Sequence, residues 1–166
     1  MHQAYIALGS NLQQPRRQVE QALGELAQWP QTRLLKQSSL YRTAPLDHNN
    51  HRSEQPEFIN AVAQIETGLT PLALLRALLA IEDRHGRERP YRNAPRVLDM
   101  DLLLYDEVIM NTAELTLPHP RMFDRGFVLL PLSEIAPELT IADHGSVAAL
   151  ARACPDQGVT RIGDQQ

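Results

Sequence analysis

The chain has one cysteine, one lysine and few aromatic residues (5%). Cys154 stands alone, so no disulfide can form within the chain, and the cysteine-dense scaffold of a small secreted protein is excluded. No apolar run approaches the roughly 18 residues that a membrane-spanning helix needs. The opening stretch, residues 1–10, lacks a cationic segment and a long apolar core; it does not read as a signal peptide, and a cytoplasmic protein is expected. Familiar chemical signatures are missing as well. There is no G-x-x-x-x-G-K-[ST] phosphate loop, no G-x-G-x-x-G, no G-x-S-x-G nucleophile and no Cys/His metal cluster. His48 and His51 have i, i+3 spacing, but without further ligands they read as solvated. The balance of 16 basic against 20 acidic residues gives a net charge of −4, which argues against a nucleic-acid surface.

What is present is local. Lys36 is the only lysine, so nearly all positive charge is arginine, and Arg84, Arg87, Arg89, Arg92 and Arg96 fall close together. A basic patch on an acidic chain suits a small anionic ligand, although genome composition also favours arginine in some sources. Directly after it come Val97-Leu98-Asp99-Met100-Asp101-Leu102-Leu103-Leu104. Strand side chains alternate, so Asp99 and Asp101 share a face, about 7 Å apart along the chain, with Met100, Leu102 and Leu104 on the opposite face. The apolar run predicts a central strand. Adjacent carboxylates repel unless something positive lies between them, and Mg²⁺ with phosphate is the natural candidate. A solvated pair on an exposed edge is the other reading. The arginines fit phosphate geometry, or form a solvated charge run. His119, between two prolines, could contact a phosphate or be a surface turn histidine. Asn60 beside Phe58 could read a heterocycle edge, or be a buried, satisfied amide; Phe127 could stack on a ring or fill core.

At 166 residues the chain is expected to form one domain, 1–166. Residues 5–8 read as a strand closed by Gly9-Ser10-Asn11, a turn that can cap a helix starting near Pro15, whose buried face is Val19, Ala22, Leu23 and Leu26. Pro30 ends that helix. Residues 34–43 read as one strand and 44–57 as a long polar loop. In residues 58–66, Ile59, Ala61, Ala63 and Ile65 alternate with Phe58, Asn60, Val62 and Gln64. Thr70-Pro71 starts a helix with a buried stripe of Leu72, Leu75, Leu78, Leu79 and Ile81, and Gly86 sits at a C-cap position. Further on come a strand at 97–105, a turn at Asp106-Glu107, a short strand at 108–110, a turn or extended segment at 117–120, and helices at 125–135 and 146–153. The tail from Pro155 reads as frayed. This order predicts an α+β sandwich of the ferredoxin-like type, with a mainly antiparallel sheet, helices packed on it and long loops.

From Tyr5 to about Ile141 the chain resembles the 6-hydroxymethyl-7,8-dihydropterin pyrophosphokinase family of folate biosynthesis. The resemblance rests on Tyr5-Ile6-Ala7-Leu8-Gly9-Ser10-Asn11-Leu12, Ser38-Ser39-Leu40-Tyr41-Arg42-Thr43, Phe58-Ile59-Asn60-Ala61, Ile81-Glu82 and Gly86-Arg87, then on Ala94 to Asp101, Pro118-His119, Arg125-Gly126-Phe127 and Ile135 to Leu139. It implies transfer of pyrophosphate from ATP to the pterin hydroxymethyl group, giving AMP and the pterin pyrophosphate. It further implies that Asp99 and Asp101 hold two Mg²⁺ ions, and that Arg87, Arg89, Arg96 and Arg125 neutralise phosphate charge, with Arg87 and Arg96 counted as catalytic beside the aspartates. Glu82, Leu102, Thr116 and His119 would also line the ATP site. Thr43, Ala44, Leu46, Phe58, Asn60 and Phe127 would form the pterin pocket, with no protein general base. Partners would be ATP and the pterin alone, and a monomer is expected. Met100, Asn93, Leu79, Glu114 and Pro120 depart from residues common in the family. A two-metal phosphohydrolase or nucleotidyltransferase, and a nucleotide-sensing module without catalysis, are the competing classes.

Overall fold

A computed structural model describes residues 1–12, 14–43, 57–86 and 97–162. Along the chain lie β1 (His2–Ser10), α1 (Pro15–Ala27), β2 (Thr32–Gln37), β3 (Tyr41–Thr43), β4 (Phe58–Thr67), α2 (Pro71–Gly86), β5 (Asp99–Tyr105), β6 (Met110–Asn111) and β7 (Thr116–Leu117). A 3-10 turn at Met122–Asp124 precedes α3 (Gly126–Ile135), β8 (Thr140–Ile141), β9 (Gly145–Ser146), α4 (Val147–Ala153) and β10 (Val159–Arg161). Helices and an antiparallel sheet are thus mixed, as the α+β reading expects.

The sheet runs β10-β3-β4-β1-β5, with β2 paired to the far half of β4, and every pairing is antiparallel. Strand alternation sorts the side chains onto two layers. Ile6 and Leu8 of β1, Ile59, Ala61, Ala63 and Ile65 of β4, and Met100 and Leu102 of β5 pack against Val19, Leu23 and Leu26 of α1 and Leu74, Leu78 and Ile81 of α2. Each fully buried Leu or Ile there contributes about 2 kcal/mol. On the other face, Tyr5, Ala7, Val62, Leu103 and Leu104 meet Val128 and Leu132 of α3 and Val147 of α4. No described helix is long and apolar enough to cross a membrane.

Local chemistry explains the helix starts. Thr70 caps α2, its Oγ1 accepting the Ala73 N–H at 3.2 Å, and Ser146 caps α4 in the same way through Ala149 at 3.2 Å. Ser10 does not cap α1; its hydroxyl donates to the Val97 carbonyl and so ties β1 to the chain entering β5.

Several expectations need correction. The strand read at 34–43 is two strands: Ser38 breaks the ladder, its N–H donating to Val62 O and its Oγ accepting from Val62 N–H, both at 2.9 Å. The buried face of α2 is Leu74, Ala77, Leu78, Ile81 and Glu82, whereas Leu79 is 43% exposed and Leu72 and Leu75 lie at its margin. That arc follows the 3.6-residue period; counting leucines does not. The register of β1 against β5 shifts between Tyr5 and Ile6, which moves Leu104 onto the α3 face. β5 is an edge strand, not a central one; it is apolar because helices cover both its faces. The short strand expected at 108–110 lies instead at Met110–Asn111, where β6 pairs with β7. Finally, the tail is not frayed at 159–161, where β10 pairs with β3.

Candidate active site

Asp99 and Asp101 face away from the α1–α2 layer, and Met100 between them is buried beneath it. Met100 therefore occupies core, and its departure from the family pattern leaves the carboxylate face unaltered. Glu82 reaches the same strand from α2, its Oε2 accepting the Met100 N–H at 2.7 Å. A charged acceptor on the backbone between the two aspartates fixes where they start.

Register then defines a row across the sheet. Asp99 stands opposite Gly9, Gly9 opposite Asn60, and Asn60 opposite Tyr41. Strands are about 4.8 Å apart, so Asn60 and Asp99 are separated by about 10 Å over the sheet. Gly9 keeps that gap open, since a Cβ there would lie 2.6 Å from Asn60 Oδ1. Its role went unread in the sequence, although a glycine within a strand commonly marks a close approach. Asn60 is only 5% exposed, and its Nδ2 donates to Thr43 Oγ1 at 3.0 Å. Phe58 lies two residues before it on the same face, half-buried. At the far end of the row, the Tyr41 hydroxyl donates to Glu134 of α3 at 2.8 Å, and Glu134 also accepts from Ser39 N–H at 3.0 Å. Burial pushes the Tyr41 phenol well up, and the Glu134 carboxylate pushes it further.

Asp101 stands opposite Ala7 in the next row. Arg125 Nη1 lies 3.7 Å from Asp101 Oδ2, and His119 Nε2 lies 4.0 Å from Oδ1. The first is an ion-pair distance and the second lies beyond hydrogen-bond reach, so the carboxylate is held without being saturated. The His119 backbone N–H donates to Leu103 O at 2.9 Å, which anchors its loop to the open edge of β5. Burial holds the His119 imidazole below its ordinary value; Asp101 pulls the other way, and Arg125 and Arg121 add to the depression. The ring is therefore neutral near pH 7. Its Nδ1 accepts the Arg121 N–H at 3.2 Å, which leaves the proton on Nε2, facing the carboxylate side. The Arg125 guanidinium also sits 5.5 Å from the Phe127 ring, within cation–π range.

The remaining expected site residues divide. Thr116 lies on β7, beside β5. The Leu102 side chain is buried in the α1–α2 core, leaving only its backbone for a ligand. Glu114 and Pro120 are exposed. Arg87, Arg89, Arg96, Ala44, Leu46 and Asn93 lie outside the described residues. Two hard-oxygen ligands on one strand fit Mg²⁺, which commonly takes one or two carboxylates and fills its shell with phosphate and water. Among the described residues no three His, Cys, Asp or Glu side chains converge.

An α+β domain with paired carboxylates, an arginine and a histidine on one sheet face is equipped to handle a metal-bound phosphate. The chain belongs to the 7,8-dihydro-6-hydroxymethylpterin-pyrophosphokinase (HPPK) family, whose model matches residues 5–137. It is 43% identical over 162 residues to the 2-amino-4-hydroxy-6-hydroxymethyldihydropteridine pyrophosphokinase of Pseudomonas aeruginosa, with 98% of each chain covered. The protein of the same name from Haemophilus influenzae is 42% identical over 159 residues, covering 96% of this chain and 97% of its own. Among solved structures, Plasmodium falciparum HPPK-DHPS with pterin and p-hydroxybenzoate superposes with a TM-score of 0.71 at 14% identity, covering 97% of this chain and 46% of that one. An HPPK-DHPS in complex with substrates gives 0.73, covering 96% and 46%. This chain thus spans less than half the length of those structures, and the likeness to them concerns the fold.

Proposed function

We propose that the chain transfers the pyrophosphoryl group of ATP to the hydroxymethyl oxygen of 6-hydroxymethyl-7,8-dihydropterin, releasing AMP, as one step of folate biosynthesis. The observation that carries this reading is the shared sheet face. A buried amide suited to a heterocycle edge and a carboxylate pair suited to metal-bound phosphate stand about 10 Å apart, two strand spacings, over the bare backbone of Gly9.

In this reading Asn60 and Thr43 hold the pterin edge, with Phe58 and Phe127 against its faces and Ala44 and Leu46 completing the pocket. The hydroxymethyl oxygen then points toward Asp99 and Asp101. It attacks the β-phosphorus, a new P–O bond forms, and the bond from β-phosphorus to the bridging oxygen breaks, so that AMP departs with that oxygen. Asp99 and Asp101 would hold two Mg²⁺ ions, which supply charge neutralisation on the triphosphate and favour ionisation of the hydroxyl. Arg125 neutralises phosphate charge at the carboxylate edge, and the family resemblance gives Arg87, Arg89 and Arg96 the same work. His119 offers its Nε2–H to a phosphate oxygen, with Thr116 and the Leu102 backbone beside it. Glu82 acts from below through Met100. Among the described residues no side chain is placed as a base, so the hydroxyl proton passes to water, and positioning and electrostatics carry the rate. The chain works in this reading as a single pyrophosphokinase domain and as a monomer, and its use of ATP supports a cytoplasmic site of action.

The test is AMP formation from Mg·ATP with and without 6-hydroxymethyl-7,8-dihydropterin. Strictly pterin-dependent AMP is expected. Pterin-independent phosphate release would replace the proposal with a hydrolase, and ATP binding without turnover would replace it with a sensor.

A further inference from the structure

The family match ends at residue 137, yet the chain beyond it returns to the site. The Gln157 side chain brackets Arg125. Its Oε1 accepts the Gly126 N–H at 2.8 Å, and its Nε2 donates to the Asp124 carbonyl at 2.8 Å. Arg125 is the extended residue (φ −112°, ψ 106°) between the 3-10 turn and α3. The Gly126 N–H belongs to the first turn of α3 and has no partner within that helix. One amide thus clamps the peptide groups on both sides of the only non-helical residue in this corner. The direction in which the Arg125 side chain leaves the backbone depends on that corner.

The turn that delivers Gln157 is itself built. Gly158 adopts φ 74°, a left-handed conformation that favours glycine, and its N–H donates to Asp156 Oδ1 at 2.9 Å. The next residue, Val159, pairs with Thr43 in the register of β10 and β3. The same segment therefore reaches Arg125 on one side and the strand bearing Thr43 on the other.

We infer that Gln157 is a positioning residue for Arg125: by bracketing Asp124 and Gly126 it aims the guanidinium at the phosphates held over Asp101. This rests on the phosphate role given to Arg125 above. Gln157 touches no substrate and acts only through that arginine.

The experiment measures the affinity of Mg·α,β-methylene-ATP, by calorimetry, for the wild type, Q157M, R125A and the double variant, with melting temperatures alongside. Methionine keeps the volume of glutamine and removes both hydrogen bonds; Q157A serves as a second variant. Q157M is expected to weaken analogue binding about tenfold by loosening the corner that aims Arg125, and kcat/KM for ATP should fall in step while KM for the pterin moves less. The double variant should bind no more weakly than R125A alone. Wild-type affinity in Q157M would overturn the inference, and so would losses that multiply in the double variant, because a merely structural contact would add to the loss of Arg125. Lack of pterin-dependent AMP formation by the wild type would instead sink the functional reading, and the affinity cycle separates the two failures.

Discussion

The two faces of the central sheet are made from the same strands and do opposite things. On the α1–α2 face, Ile6, Leu8, Ile59, Ala61, Ala63, Ile65, Met100 and Leu102 form an unbroken apolar surface. On the α3 face the alternate positions split along their length: Tyr5, Val62, Leu103 and Leu104 pack under α3 and α4, while Gly9, Asn60, Asp99 and Asp101 are polar or bare. Because the strand period is two residues, one segment can hold the fold with one set of alternate positions and a ligand with the other. The stability of the first face is what allows two like charges to be kept together on the second.

The largest effect is expected at the carboxylates. Asp99→Ala should lower turnover by about 10³-fold or more with the thermal midpoint unchanged or raised, read by AMP release and calorimetry. Leu78→Ala makes the converse case from the α2 side of the core: about 2–5 kcal/mol of stability lost in urea titration, with kcat/KM within about threefold of wild type at a temperature where the variant is folded. Gly9→Ala tests the gap between amide and carboxylates. The new methyl would crowd Asn60 Oδ1, so KM for the pterin should rise about tenfold, while analogue binding without pterin stays as in the wild type.

The smallest effect concerns His119. Its folded value lies below the ordinary imidazole range, so the unfolded chain binds the proton more readily. Its contribution is complete above the ordinary histidine range and is lost as the pH falls through the unfolded value toward the folded one. In ligand-free protein, His119→Asn should flatten the decline of the thermal midpoint between about pH 7 and pH 5. An unchanged slope would mean that the imidazole is not held neutral.

Much of this was legible in the sequence where the signal is short-range. Alternation at 58–66, the Thr70-Pro71 helix start, the Ser146 helix and the shared face of Asp99 and Asp101 depend on neighbours a few residues apart. What escaped depends on distant partners. Ser38 interrupts a strand because Val62 meets it, and Leu104 changes face because β1 slips by one residue against β5. Glu82 is buried on an apolar arc because the Met100 N–H lies beneath it. Gly9 and Gln157 look ordinary until the register sets Asn60 beside one and Arg125 beside the other.

The most direct test of the account is Asp101→Asn, with pterin-dependent AMP formation and the thermal midpoint measured on the same preparation. A midpoint at or above that of the wild type is expected together with turnover lowered by about two or more orders of magnitude, since the change removes charge and almost no volume. Near-wild-type AMP formation in a folded Asp101→Asn variant would contradict it.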